Sequence, residues 1–293
     1  MEWRNFAVEA LVERALQEDI AAGDTTTRLT IDPALQATAT ITARQDLIVC
    51  GLGSIPVFLD RFAALHPESA ARYEVISHPE IFDGVSVHAG QPLAVIRHRA
   101  QALLSCERVI LNLLQHLSGI ATLTRRYADA IVGTSARVLD TRKTIPGLRM
   151  LEKYAVVSGG GTNHRLDLSD GILIKNNHIA LGGGIRSVLA RSLAARPAGK
   201  RVQIEVRSME ELQEALASGA EAILLDNMAP NLVGECVRRI RAEERWIPIE
   251  TSGGIVLENI RAYAEAGVDF ISVGALTHSA PAADISMRIT AVN

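Results

Sequence analysis

Positive side chains crowd one stretch of this sequence: Arg142 and Lys143, then His164 and Arg165, then Lys175, with Arg108 upstream. Guanidinium groups bind carboxylates in bidentate fashion and lysines serve phosphate as point charges. The set therefore predicts a small ligand carrying several negative charges. Ser158-Gly-Gly-Gly-Thr-Asn-His-Arg165 lies between them, and its glycines let the backbone approach a ligand or another segment closely. Two acids follow, Glu205 and Asp226. They have two readings: salt bridges to Lys175 and Arg142, or a site for Mg²⁺ or sugar hydroxyls, since Mg²⁺ needs few carboxylates once waters and substrate phosphates complete its shell. Glu250-Thr-Ser-Gly-Gly-Ile255, containing Ser252 and Gly254, and then Phe270-Ile-Ser-Val-Gly274 offer backbone N–H groups to phosphate. His278 either touches that phosphate or hydrogen-bonds within its own loop. No G-x-x-x-x-G-K-[ST] is present, and Gly51-Leu-Gly53 lacks the third glycine of a dinucleotide fingerprint. The remaining histidines (66, 78, 88, 98, 116 and 178) have no ligand spacing and are expected to be structural. No nucleophile–base pattern appears, which points to chemistry done by positioning and electrostatics.

These residues need a frame that brings them together. Short apolar runs begin at Arg137, Gly171, Val202, Ala222, Ile247 and Phe270 and alternate with helical stretches. They recur roughly every 20 to 35 residues, the length of a strand, a helix and two loops. Such runs suit a parallel sheet covered by helices, curled into a complete or incomplete barrel of about six strands. Most end in a polar or glycine position: Asp140-Thr141, Lys175, Asp226, Glu250-Thr251 and Gly274. In parallel α/β folds those ends converge on one ligand-binding face. The N-terminal part has a different texture. Val8, Leu11, Val12, Ala15 and Leu16 mark an amphipathic helix ending near Gly23. Residues 37–50 and 73–96 read as short strands, and Ile55, Phe58, Leu59 and Phe62 as a helix between them. Residues 100–130 read as a long helix that breaks or kinks near Ser118-Gly119, and residues 281–293 as a return to the first lobe.

Composition excludes several classes. In 293 residues, 30 basic side chains against 33 acidic ones give a net charge of −3, and aromatics are only 4%, so a nucleic-acid platform is not expected. No apolar run reaches the roughly 18 residues of a membrane span. The first twenty residues are too acidic for a transit peptide and too polar for a signal sequence. The three cysteines, Cys50, Cys106 and Cys236, form neither a CxxC pair nor a zinc spacing. A cytoplasmic location is expected.

Several segments resemble the quinolinate phosphoribosyltransferase family, also called carboxylating nicotinate-nucleotide pyrophosphorylases. They are Thr141-Arg-Lys-Thr-Ile-Pro-Gly-Leu-Arg149, Glu152-Lys-Tyr-Ala-Val156, Gly159-Gly-Gly-Thr-Asn-His-Arg165, Leu173-Ile-Lys-Asn-Asn-His178, Leu225-Asp-Asn-Met228 and Glu250-Thr-Ser-Gly-Gly254. Leu16-Gln-Glu-Asp-Ile20 and Glu107-Arg-Val-Ile-Leu-Asn112 extend the similarity across the chain. The resemblance implies an N-terminal α/β sandwich (1–117), completed by the tail (280–293), and an open α/β barrel (118–279). It implies phosphoribosyl transfer from phosphoribosyl pyrophosphate to quinolinate with loss of CO₂, a step of NAD biosynthesis. It further implies a homodimer in which Arg108 enters the partner's pocket. Arg142, His164, Arg165 and Lys175 would hold quinolinate. Lys143, Glu205, Asp226, Ser252, Gly254, Gly274 and His278 would surround phosphoribosyl pyrophosphate and Mg²⁺, the metal falling to Glu205 and Asp226. Lys143, Lys175, Glu205 and Asp226 would carry the catalysis.

One position departs from the pattern. The family usually has an acid after the strand-end lysine, where this chain has Asn176. Two other functions stay open on the residues alone. Lys175 could serve as a Schiff-base lysine of an aldolase-like enzyme. A non-catalytic relative could bind a metabolite or serve molybdate uptake.

Overall fold

The computed structural model describes residues 1–67 and 71–292, so Asn293, the last residue of the expected tail, lies outside the described residues. Side-chain caps set the first helix starts. The Asn5 carboxamide oxygen accepts the Ala7 and Val8 N–H groups at 3.1 Å each, opening α1 (Phe6–Ile20). The Asp24 carboxylate accepts the Thr27 N–H at 2.9 Å, opening α2 (Thr25–Thr30). Such caps satisfy backbone donors that have no partner inside the helix. There follow β1 (Gln36–Ala43), β2 (Leu47–Ile48), α3 (Ser54–Leu65), β3 (Glu74–Ile76), β4 (Ser86–Val87), β5 (Pro92–Arg99) and α4 (Ala100–Ala130). Then come β6 (Arg137–Leu139), α5 (Arg149–Ser158), β7 (Ile172–Ile174), α6 (Asn176–Gly182), α7 (Ile185–Ala195), β8 (Val202–Val206), α8 (Met209–Ala217) and β9 (Ala222–Asp226). The chain closes with α9 (Pro230–Arg241), β10 (Ile249–Ser252), α10 (Ile260–Glu265), β11 (Phe270–Ser272), α11 (Ala275–His278) and β12 (Ile285–Ala291).

The chain divides into two compact units. The first comprises Met1–Leu123, Val157–Gly160 and the segment from Ala280 onward. Its four-stranded antiparallel sheet has the order β12-β1-β5-β3. β1 buries alternate residues, Ala37, Ala39, Ile41 and Ala43, as a strand with one covered face must. The tail returns to this sheet, Ala37 pairing with Ala291 and Ala43 with Ile285.

Of the break or kink expected near Ser118-Gly119, the break does not occur, and α4 runs through both residues. Both residues serve contacts instead. The Ser118 hydroxyl accepts the Cys50 N–H at 3.0 Å. A Cβ on Gly119 would lie 2.1 Å from the Pro281 carbonyl oxygen, so glycine here admits the returning tail rather than ending the helix.

The second unit, Thr124–Val156 with Gly161–Ser279, is an open α/β barrel. Its six strands are all parallel in the order β6-β11-β10-β9-β8-β7. The first two strands in sequence, β6 and β7, thus occupy opposite edges of the sheet. Beyond β6 the backbone of Thr162 bridges Leu139, with the Thr162 N–H donating to Val138 O at 2.9 Å and the Asp140 N–H to Thr162 O at 3.2 Å. β8 and β9 are buried over nearly their whole length, as expected of strands covered on both faces.

Candidate active site

The strand ends converge as expected. Arg142, Lys143, His164, Arg165, Lys175, Glu205, Asp226, Ser252, Gly254, Gly274 and His278 all line one cavity of about 720 Å³. Each sits at or just past the C-terminal end of a parallel strand, or on the His164–Arg165 segment beside β6. Arg108 is different: it is exposed on α4 and is not among the lining residues.

A buried ion pair fixes the His164–Arg165 segment. The Lys153 ammonium meets the Asp140 carboxylate, with their side chains only 3% and 0% exposed. Lys153 Nζ also donates to the His164 carbonyl at 2.9 Å, and the His164 N–H donates to Asp140 Oδ1 at 2.8 Å. With its amide turned so that the nitrogen faces these two acceptors, Asn163 donates to Asp140 Oδ2 at 2.6 Å and to the Lys153 carbonyl at 2.9 Å. Burial pushes the Asp140 carboxyl above its usual range, with Lys153 pulling the other way. Arg149 ties the next loop down. Its guanidinium donates to Thr144 Oγ1 at 3.0 Å and to the Leu166 carbonyl at 3.3 Å. The motif from Thr141 to Arg149 thus combines ligand-facing and scaffold residues.

The cationic wall consists of Arg142, Arg165, Lys143 and Lys175. Arg142 Nε is buried with no protein partner, a donor prepared for an acceptor from a ligand. Arg165 Nη1 donates to the Gly171 carbonyl at 2.9 Å. Burial, and then repulsion from Arg142, lower the Arg165 guanidinium below its usual range. Lys175 is half exposed and its Nζ lies 3.9 Å from Glu205 Oε2. His164 has both ring nitrogens engaged by protein. Nδ1 accepts the Arg165 N–H at 2.7 Å, and Nε2 lies 3.3 Å from Glu250 Oε2.

The acidic side faces this wall. Burial, and then the neighbouring Asp226 charge, raise the Glu205 carboxyl, with Lys175 opposing them. The Asn176 amide donates to Glu205 Oε1, so the position that departs from the family pattern anchors this carboxylate. Ser252 Oγ donates to Asp226 Oδ1 at 3.0 Å. Two carboxylates close enough for one to shift the other fit a Mg²⁺ ion whose shell is completed by waters and substrate oxygens. Among the described residues there is no cluster of three or more His, Cys, Asp or Glu that could hold a metal ion.

The phosphate cradle follows β10. Gly253 has φ +93°, and a Cβ there would lie 2.2 Å from Asn227 Oδ1. Gly254 has φ +63° and open space where a Cβ would be. Gly274 has an ordinary backbone, but a Cβ would stand 3.1 Å from both Lys143 Cδ and His278 Nε2. Its glycine therefore reflects crowding by two candidate ligand-binding side chains. His278 Nδ1 lies 2.6 Å from Ser279 Oγ, leaving Nε2 toward Gly274. His178, read as structural, accepts the Lys175 N–H on Nδ1 at 2.9 Å and caps α6.

Sequence reasoning placed Glu250 at a strand end but gave its carboxylate no role, and it gave none to Lys153 or Gln203. Glu250 carried a readable signal, because it lies two positions before Ser252 on a strand and so shares its face. Lys153 carried none, since only the tertiary fold brings α5 against the end of β6.

The fold and the site together define an α/β-barrel protein that holds a multiply anionic ligand beside a glycine-lined phosphate cradle. Residues 24–118 match the family model for the quinolinate phosphoribosyl transferase N-terminal domain, and residues 120–288 match that for its C-terminal domain. A nicotinate-nucleotide pyrophosphorylase [carboxylating] from Mycobacterium leprae is 41% identical over 284 residues, 97% of each chain. The solved structure of NadC from Streptococcus pyogenes superposes with a TM-score of 0.88 at 36% identity, covering 98% of each chain. That of the nicotinate-nucleotide pyrophosphorylase from Ehrlichia chaffeensis gives 0.86 at 35% identity, covering 99% of this chain and 100% of the other. This chain belongs to the quinolinate phosphoribosyl transferase family.

Proposed function

We propose that this chain is a decarboxylating quinolinate phosphoribosyltransferase. It joins the pyridine nitrogen of quinolinate to C1 of the sugar of phosphoribosyl pyrophosphate and yields nicotinate mononucleotide, pyrophosphate and CO₂ for NAD biosynthesis. The observation that carries this reading is the pairing of Arg142, Arg165, Lys143 and Lys175 with the Ser252–Gly254 and Gly274 cradle in one cavity.

Arg142, Arg165 and Lys175 bind the two carboxylates of quinolinate and orient its ring nitrogen toward the sugar. The open space beside Gly254 leaves room for phosphate groups. Lys143 and His278 flank Gly274, so both reach the same phosphate space. As the nitrogen forms its bond to C1, the C1–oxygen bond breaks and its electron pair leaves with pyrophosphate. Lys143 and Lys175 stabilise the charge growing on the leaving group. Glu205 and Asp226 would hold Mg²⁺, which when bound adds Lewis-acid stabilisation of the phosphate oxygens. The glycosylated nitrogen is cationic, so it stabilises the electron pair left on C2 when that carboxylate departs as CO₂. A proton then takes its place at C2. No side-chain base is needed to start this sequence. Lys175 serves here as an anion-binding cation rather than a Schiff-base nucleophile, in keeping with its exposure and its carboxylate neighbour.

The working assembly in this reading is a homodimer in which Arg108, exposed on α4, enters the partner's cavity. The compartment is the cytoplasm. Free, buried Cys50, Cys106 and Cys236 suit a reducing environment, and no helix among the described residues is long and apolar enough to cross a membrane. The test is a CO₂-release assay on the purified chain with quinolinate labelled in the C2 carboxylate, phosphoribosyl pyrophosphate and Mg²⁺. Release that requires both substrates supports the reading, and none at all defeats it.

A further inference from the structure

Glu250 has no part in the transfer chemistry above, yet it lines the cavity and is only 4% exposed. A carboxylate so deeply buried is costly unless donors satisfy it. Three elements supply them. Gln203 Nε2 of β8 donates at 2.7 Å, Ser272 Oγ of β11 donates at 2.5 Å, and His164 Nε2 lies 3.3 Å away. Burial alone would raise this carboxyl, but the donors from His164, Ser272 and Gln203 outweigh it and hold it below its usual range. Glu250 is therefore ionised at neutral pH. The same geometry sets the proton on His164. Nδ1 accepts the Arg165 N–H, so it carries no hydrogen and the ring proton sits on Nε2, toward Glu250. Glu250 sets a fixed negative charge against the cationic wall. Arg165 senses that carboxylate directly, because the Glu250 charge favours its charged form.

We infer that Glu250 is a positioning residue that holds His164 with its ring proton on Nε2 and weakens the grip of the Arg165 side of the cavity on the quinolinate dianion. The reason is differential binding. Quinolinate enters with two negative charges and loses one as neutral CO₂. A pocket of unopposed cations would stabilise the dianion more than the decarboxylating state and slow the loss. A fixed negative charge beneath the cavity raises the dianion more than it raises the state that has lost a charge. This part rests on the reaction proposed above; the tautomer of His164 does not.

Glu250→Gln removes the charge and keeps the volume. The expected result is a calorimetric quinolinate Kd that tightens on the order of tenfold, the scale one unit charge reaches across a partly polar interior, together with a lower KM and a lower kcat. A residue serving only packing or orientation would give the opposite, weaker binding, so an unchanged or weaker Kd overturns the inference. The unmodified chain is assayed alongside. If it releases no CO₂, the proposed reaction fails and the charge argument falls with it. If it releases CO₂ while Glu250→Gln binds quinolinate no more tightly, only the charge argument fails. Should Glu250→Gln not fold, ¹⁵N-histidine NMR of the unmodified chain decides, with the His164 signal identified by its loss in His164→Gln. A ring with its proton on Nε2 and a bare Nδ1 is expected; an Nδ1–H tautomer overturns the inference.

Discussion

Replacing Lys153 by Met tests how firmly the cavity is anchored. The change keeps the aliphatic stem and deletes the ammonium that meets Asp140, in a pair whose side chains are 3% and 0% exposed. Breaking a buried pair from one side leaves the other charge uncompensated and costs about 3–5 kcal/mol. The His164 carbonyl also loses its 2.9 Å donor. Asp140 keeps the His164 N–H at 2.8 Å and the Asn163 amide, so the loss should stay within that range at about pH 8. The pH dependence has a definite sign. Asp140 already titrates above its ordinary value of 3.8, so its protonated form favours the folded chain. Its contribution is favourable at low pH and is lost as pH rises from the unfolded value through the folded one. Without Lys153 the folded value climbs further, and the window widens toward neutrality. The Lys153→Met penalty should therefore be smaller at about pH 5 than at about pH 8, by roughly 1 kcal/mol or more. Urea denaturation followed by Trp246 fluorescence in a Trp3→Phe background measures it, Trp246 belonging to the barrel unit. A penalty below about 1 kcal/mol at pH 8, or one equal at both pH values, would refute the buried-pair argument.

Other changes give separable outcomes. Arg165→Ala should lower kcat/KM for quinolinate by about 2–4 kcal/mol, and Arg165→Lys should recover little because the fork geometry is lost; steady-state kinetics near those of the unmodified chain would contradict the carboxylate role. Gly253→Ala should destabilise the barrel by about 2 kcal/mol or more, because it forces both a positive φ and a clash with Asn227, whereas Gly254→Ala meets open space and should cost about 1 kcal/mol; thermal melts rank the two. Gly119→Ala normally favours a helix by about 1 kcal/mol, but here it should destabilise the chain, because the new methyl meets the Pro281 carbonyl; a higher Tm would dismiss the close approach. Mn²⁺, used as a paramagnetic stand-in for Mg²⁺, should bind less tightly to a Glu205→Gln, Asp226→Asn double variant when titrated by EPR, and unchanged binding would place the metal elsewhere.

The barrel and most of its cavity were legible because both rest on local patterns. Apolar runs such as Ala222–Leu225 announce a covered strand, and the polar residue that ends each run, Asp226 or Lys175, must emerge at the same face once the strands are parallel. The unread parts depend on contacts distant in sequence. Lys153 meets Asp140 only after α5 packs against β6, and neither residue type predicts a partner. Gly119 looked like a helix breaker because a glycine's local preference is visible in sequence and the Pro281 carbonyl beside it is not. His164 belonged among the expected ligand-binding residues by type, yet the occupation of both its nitrogens followed only from the placement of Glu250 and the Arg165 backbone.

The order of the first sheet has a consequence for synthesis. β1 is an inner strand, flanked by β5 and by β12, and β12 is translated only after every strand of the barrel. Until then β1 presents an unpaired row of amides and carbonyls to its surroundings, a template for pairing with another nascent chain. The lobe that starts first is thus completed last, after the whole barrel has been translated. Ribosome-bound intermediates of this protein should accordingly depend on chaperones that shield strand edges, and a premature stop before Ile285 should yield aggregates rather than a free-standing barrel.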